Sequence, residues 1–184
     1  MRIDVYRIGN GYKKQVWNIF RKHHYLNTSL HPAATQYVGL LNGEILVCHT
    51  GVIQAAMKKG KKRVHRLVTL PDFQGIGIGL NFINFIADIY DKSGLKFNLI
   101  TTTPALRFAL EKNPNWSLRR AGYVSKPGNA KELESNFGLG HLNSTFSCNR
   151  VTYSFDYIKK YEFAPPGGEE TPMTANYTQL SLFD

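Results

Sequence analysis

Three glycines at alternate positions in Gln74-Gly75-Ile76-Gly77-Ile78-Gly79 separate an apolar stretch ending at Leu70-Pro71 from a helical pattern that stops at Gly94. A strand, a short loop and glycines opening a helix present several backbone N–H groups together at the positive end of that helix. Such an end suits an anion, phosphate above all. Glycine serves here because a side chain would hold the backbone off the phosphate and because some positions need φ above zero. The spacing is Q-x-x-G-x-G rather than the G-x-G-x-x-G of a dinucleotide fold, and no Gly-Lys-Ser/Thr of a P-loop is present. A glycine-rich turn with only a structural role is the alternative reading.

The remaining pattern supplies strands before this motif and mixed elements after it. Arg2 to Ile8 alternate as a strand, Gly9-Asn10-Gly11 breaks them, and Tyr12 to Tyr25 keep helical spacing through Val16, Ile19 and Phe20. Thr35 to Leu41 and Ile45 to Ala56 flank Asn42-Gly43, the strongest hairpin signal in the chain. A second hairpin turns on KKGKKR, residues 58–63, and leads into a strand from Val64 to Leu70. Beyond the glycines, Ile78, Phe82, Ile86 and Ile89 share one helix face. Lys96 to Thr103 reads as a strand, Pro104 to Lys112 as a helix with proline in its first turn, and Arg150 to Tyr157 as a last strand. The region 125–149 has no clear period, and a linker-like tail follows the domain from about residue 161.

At 184 residues the chain fits one domain with one sizeable core. No apolar run approaches the ~18 residues that span a bilayer, and charges occupy the place of a secretory apolar region, so a cytoplasmic location is expected. Cys48 and Cys148 have no CxxC spacing and are expected to be reduced and buried. The net charge of +10 and pI of about 9.6 point to an anionic partner, nucleic acid or a phosphorylated cofactor.

The order β-α-β-β-β, LPDFQGIGIG on a helix, then strand, helix, strand, resembles the GNAT acetyltransferase superfamily, whose motif at this point is Q/R-x-x-G-x-G/A. Residues 1–157 carry the likeness. Together HHYLN, RVHRLVTLPDFQGIGIG, TTTPALRFALEKNPNW and RVTYSFDY look like the acetyltransferase-like proteins of phages and mobile elements. The resemblance implies an α+β fold with a mixed, mostly antiparallel sheet of about seven strands flanked by helices, and a domain covering residues 1–160. It further implies acetyl-CoA as co-substrate and no metal. The main chain of Val68, Thr69 and Leu70 would pair with the pantetheine arm, Gln74, Gly75, Ile76, Gly77, Ile78 and Gly79 would hold the pyrophosphate, and Lys and Arg at the mouth would meet the 3′-phosphate.

Amine acylation needs a base for the incoming ammonium and an acid for the leaving thiolate. The superfamily's common acid is a Tyr in a Leu-Tyr-Glu-Lys context, and this chain has Ala109-Leu110-Glu111-Lys112 there. Tyr25 and Tyr123 are the candidate acids, and His65 and His24 the candidate bases; a histidine satisfied by its neighbours is the plainer reading of His65. The pair His23-His24 lacks a third ligand at metal spacing.

The acceptor is a small-molecule or protein amine on the first reading. KKGKKR (Lys58, Lys59, Lys61, Lys62, Arg63), and basic residues interleaved with aromatics in RKHHY and NWSLRRAGY, support an alternative on DNA, like the Mom-type phage enzymes that modify adenine. A solvated basic turn and a packing role for Trp116 are the bland counterparts. A third reading is an inactive GNAT-fold binding module. At the C-terminus, Gln179, Leu180, Leu182 and Phe183 in QLSLF resemble the peptide by which bacterial replication and repair proteins bind the sliding clamp.

Overall fold

A computed structural model describes residues 2–24, 29–56, 59–123 and 151–159. Seven strands form one mixed sheet: β1 (Ile3–Arg7), β2 (Thr35–Leu41), β3 (Ile45–Gln54), β4 (Lys61–Thr69), β5 (Lys96–Thr101), β6 (Trp116–Tyr123) and β7 (Val151–Tyr157). Their order across the sheet is β1-β2-β3-β4-β5-β7-β6. Every neighbouring pair is antiparallel except β4 with β5. The helices are α1 (Lys13–Arg21), α2 (Ile78–Lys92) and α3 (Pro104–Lys112), joined by single 3-10 turns at Asn10–Tyr12 and Pro71–Phe73.

Alternation along the strands splits the apolar residues between two faces. On one face Ile78, Phe82, Ile83, Ile86 and Tyr90 of α2 pack with Val47, Phe97, Leu99 and Phe155 of the sheet and with Leu110 of α3. The other face carries a smaller cluster, in which Trp17 and Phe20 of α1 cover Ile8, Val38 and Val68. Helix α1 is short for its task, but two large aromatics one turn apart bury enough to seat it.

The turn at Asn42-Gly43 forms as expected. Both residues take positive φ, 52° and 78°, and Glu44 N–H donates to Leu41 O at 3.1 Å, the geometry of a type I′ turn. Two boundaries and one whole strand differ most from expectation. Helix α1 ends at Arg21 rather than near Tyr25, because His23 and His24 N–H groups donate three residues back to Phe20 and Arg21, as in a turn. Strand β4 begins at Lys61 rather than Val64, drawn in by a pairing of Lys61 with Asp156 across 95 residues of sequence. Strand β6 was not expected at all. A register shift between Leu118 and Arg120 breaks its alternation, and five consecutive exposed residues, Ser117 to Ala121, mask its strand character.

The basic run KKGKKR is therefore not simply a solvated hairpin tip. Lys61 is buried, its Nζ 2.6 Å from Asp156 Oδ1, while Lys59 stays exposed and Lys58 lies outside the described residues. Trp116 is a packing residue: it is buried, it donates from Nε1 to Asn84 Oδ1 at 2.6 Å, and it lies edge-on to Phe97 and Tyr157. Cys48 is also buried, and burial pushes its thiol up to about 12, so it is an inert filler. Cys148, Tyr25 and the whole tail lie outside the described residues.

Candidate active site

Two neighbouring strands that part company make the site. Parallel pairing of β4 with β5 covers only Lys61 with Lys96, Lys62 with Phe97 and Arg63 with Asn98. From Val64 to Thr69 the strand stays paired to β3 on its other side and has no ladder partner toward β5. An open wedge results, along one wall of which the main chain has no ladder partner. A bulge accompanies the parting: Val52 faces Val64 and Gly51 faces Arg66, so His65 is the extra residue on β4. Bulges re-aim side chains and concentrate beside functional sites.

The phase of the ladder says which groups line the wedge. Leu70 N–H donates to Val47 O at 2.9 Å, so Val68 directs its main chain to His49 on β3, and Leu67 and Thr69 turn theirs to the open side. Gln74 Nε2 donates to Thr69 O at 2.8 Å on that side. The main-chain positions able to pair across the wedge are Leu67 and Thr69, one residue out of step with Val68 and Leu70.

At the mouth of the wedge the glycine turn leads into α2. Gly77 sits at φ 85° and ψ −2°, a left-handed conformation that disfavours any side chain, and no side chain caps the helix. Asn81 N–H makes the first helical bond, to Gly77 O, which leaves the N–H groups of Ile78, Gly79 and Leu80 without a helical acceptor. Gly79 serves closeness instead of flexibility: a Cβ there would stand 2.7 Å from Thr69 Oγ1, so only glycine lets α2 start directly against the end of β4. Gln74, Gly75, Ile76 and Gly77 are all exposed around this end.

Histidines gather on the opposite face of β3 and β4, under α1. His49 is fully buried between Trp17 and Phe20, at ring-centroid distances of 5.4 Å and 5.2 Å. Its Nε2 meets Gln36 Oε1 at 3.0 Å, and its Nδ1 has no hydrogen-bond partner among the described residues. His24 lies edge-on to Trp17 at 6.0 Å, and His31 edge-on to His65 at 6.1 Å. Burial lowers His49 to about 3, with the charge of His24 acting in the same direction. Burial also lowers His65 to about 3, helped by Arg66, His31, Arg63 and His24. Both rings are neutral at physiological pH, each with one unprotonated nitrogen.

Of the four residues singled out for catalysis, the structure thus brings His24 and His65 to one neighbourhood. Tyr123 ends the outermost strand β6, two strands beyond β5, and Tyr25 is outside the described residues. Leu110, where the resemblance would place a tyrosine, is fully buried in the core against α2. Sequence reasoning missed His31, His49 and Tyr153. Tyr153 stands opposite Thr101 at the end of β5, and its hydroxyl accepts from Arg107 Nη1 at 2.8 Å. Its alternation within RVTYSFDY marked it as a strand residue, but nothing local showed which strand it would face. Among the described residues no group of three metal-ligating side chains occurs, and no helix is long and apolar enough to cross a membrane.

No protein-family profile matches the sequence, and neither does any curated protein. Solved structures do match. An IAA acetyltransferase from Bacillus cereus superposes with a TM-score of 0.56 at 12% identity, over 84% of this chain and 98% of its own. The ribosomal-protein-S18-alanine N-acetyltransferase of Escherichia coli gives 0.57 at 9%, over 91% and 99%. A GNAT family acetyltransferase from Elizabethkingia anophelis with acetyl-CoA bound gives 0.51 at 10%, over 85% and 98%. Such identities speak to architecture alone, and the architecture they share with this chain, down to nearly their whole length, is the GNAT fold.

Proposed function

We infer that this protein is an acetyl-CoA-dependent N-acyltransferase. The observation that carries the reading is the adjacency of the wedge and the uncapped, glycine-lined start of α2. An extended amide-bearing arm ending in a pyrophosphate needs such a pair of features: a free strand edge, then a cluster of N–H donors at a positive helix end. The arm pairs with Leu67 and Thr69, and the pyrophosphate rests on the N–H groups from Gly75 to Gly79. Acetyl-CoA supplies an activated acyl carbonyl.

The chain's own residues do the rest. The acceptor nitrogen approaches from the His24 and His65 side, where a neutral imidazole takes up its proton directly or through water. His65 is a weak base at about 3, so its contribution is largest for an amine that arrives already neutral. Departure of the thiolate needs a proton from a hydroxyl; Tyr25 and Tyr123 are candidates from the sequence, and Tyr153, opposite Thr101 at the end of β5, is a third.

Isothermal titration with acetyl-CoA tests the reading. Binding is expected for the native chain and its loss in Gly77→Glu, with circular dichroism unchanged. Absence of binding by the native chain overturns the proposal. Separately, the QLSLF tail is assigned to a bacterial sliding clamp on the strength of its sequence. A clamp pull-down insensitive to Leu182→Ala and Phe183→Ala disposes of that assignment. Mass spectrometry of nucleosides from expressing cells separates acylation of a free amine from modification of a DNA base.

A further inference from the structure

The closed end of the wedge carries a feature the acyltransferase reading leaves unused. Lys59, Gly60, Lys61, Gly94, Lys96 and Arg119 line an open groove of about 540 Å³. It lies at the start of β4, and the glycine turn follows the end of that strand, eight residues and about 26 Å away. The two cannot belong to one small-molecule site.

Register extends the groove into a band across one sheet face. In the parallel ladder Lys61 stands beside Lys96 and Arg63 beside Asn98, and Asn98 faces Asp156 on β7. Arg119 of β6 reaches the same carboxylate, Nη1 to Oδ2 at 3.0 Å. The band thus crosses β4, β5, β7 and β6, three strand spacings or about 14 Å. Asp156 is the one carboxylate the ladders place in it among the described residues, and it is spent on Lys61 and Arg119. Lys59 and Lys96 are exposed and enter no ion pair among the described residues. Gly60 and Gly94, with φ of 74° and 73°, leave the groove walls free of side chains at two turns, so a ligand can approach the backbone.

Chemistry narrows the partner. The lining has no aromatic ring on which unpaired bases could stack, which disfavours a single strand. It has no apolar residue to insert and is concave, which disfavours a lipid surface. A rail of closely spaced phosphates satisfies both the concavity and the surplus of cations, and the net charge of +10 adds long-range attraction to it. We propose that the exposed cations over this band, Lys59, Lys96 and Arg119, with Lys61 and Asn98 buried beneath them, form a docking site for the phosphodiester backbone of a nucleic acid double helix, separate from the wedge.

The test is fluorescence anisotropy on the full chain with a DNA duplex of about 20 base pairs, the matching RNA duplex, the single strand, and phosphatidylserine vesicles. Salt is varied between about 50 and 200 mM. Duplex binding should weaken linearly in log affinity against log salt. Lys59→Gln with Lys96→Gln should flatten the slope by about 1.8, at about 0.9 per lost phosphate contact. Acetyl-CoA titration and the thermal midpoint should not move in that variant, since both side chains are exposed. A preference for DNA or for RNA duplex names the source, and either supports the proposal. No duplex binding at low salt, an unchanged slope in the double variant, tighter binding of the single strand, or preference for vesicles each overturns it.

Discussion

Gly79 and Thr69 meet at the one point where a single methyl group decides whether α2 can begin where it does. Gly79→Ala sets a Cβ against Thr69 Oγ1, and the hydroxyl must rotate or the helix must retreat. We expect acetyl-CoA affinity to fall about tenfold in Gly79→Ala, near 1.4 kcal/mol. Adding Thr69→Ala should restore most of it, a coupling that titration of the four proteins in a double-mutant cycle reads directly. Gly77→Ala has no such partner to yield, because its problem is φ rather than space. It should lose roughly 1 kcal/mol of stability whatever stands at position 69. The glycine spacing was legible as a turn opening a helix, yet the two reasons behind it were not. One is a backbone angle and the other a contact with a residue ten positions earlier, and a linear pattern distinguishes neither.

Histidine protonation gives the residue scale a pH dependence. His49 and His65 are held near 3, against about 6.5 in the unfolded chain, so between these values the unfolded state binds more protons. Stability is then complete above about pH 6.5 and is lost as pH falls toward 3. Each histidine contributes a slope of at most about 1.4 kcal/mol per pH unit, less for His65, which is only partly buried. Urea unfolding at pH 7.5, 6.0 and 5.0 should show this decline, and His49→Gln should remove the larger share of the two histidines' slope.

Among elements, β4 depends most on partners remote in sequence. Its first residue is a buried lysine whose charge is answered by Asp156. Burial alone would raise that carboxyl, but the hydrogen bonds from Lys61, Arg119 and Asn98 outweigh it and hold the group below its ordinary range. Asp156→Ala leaves the ammonium of Lys61 buried without its counter-charge, at a cost of about 2 kcal/mol or more. Lys61→Met should cost less, because Asp156 keeps Arg119 and Asn98. Chemical denaturation that ranked the two variants in the opposite order would contradict this account. Strands β1, β2, β3 and β5 and helix α3 were readable because their signals are local: alternation, an Asn-Gly turn, a proline at a helix start. The start of β4 and the whole of β6 were not, since a buried ion pair and a register shift are fixed by residues tens of positions away.

For the molecule as a whole, the proposed function links ligand and fold through the wedge. Saturating acetyl-CoA at about 100 times its dissociation constant should add about 2.7 kcal/mol to stability, read as a rise in the thermal midpoint that Gly77→Glu abolishes. The candidate site was half legible on this scale. The uncapped helix start showed in the glycines and the strand edge in the resemblance, whereas the histidine cluster under α1 assembles from the helix end, the following loop, β3 and β4.

The three-residue ladder between Lys61 and Arg63 and their partners on β5 has one more consequence. It is a seam: to one side lie β1 to β4, built from the first 69 residues, and to the other β5, β7 and β6, built from residues beyond 95, with α2 spanning both. A chain cut at the exposed left-handed turn at Gly94 would separate into two pieces that each keep their own antiparallel ladders. Co-expressed as halves, they should find each other again, because the surface that rejoins them is continuous: α2 against β5, Leu110 and Phe155, the three-residue ladder, and the Lys61–Asp156 pair.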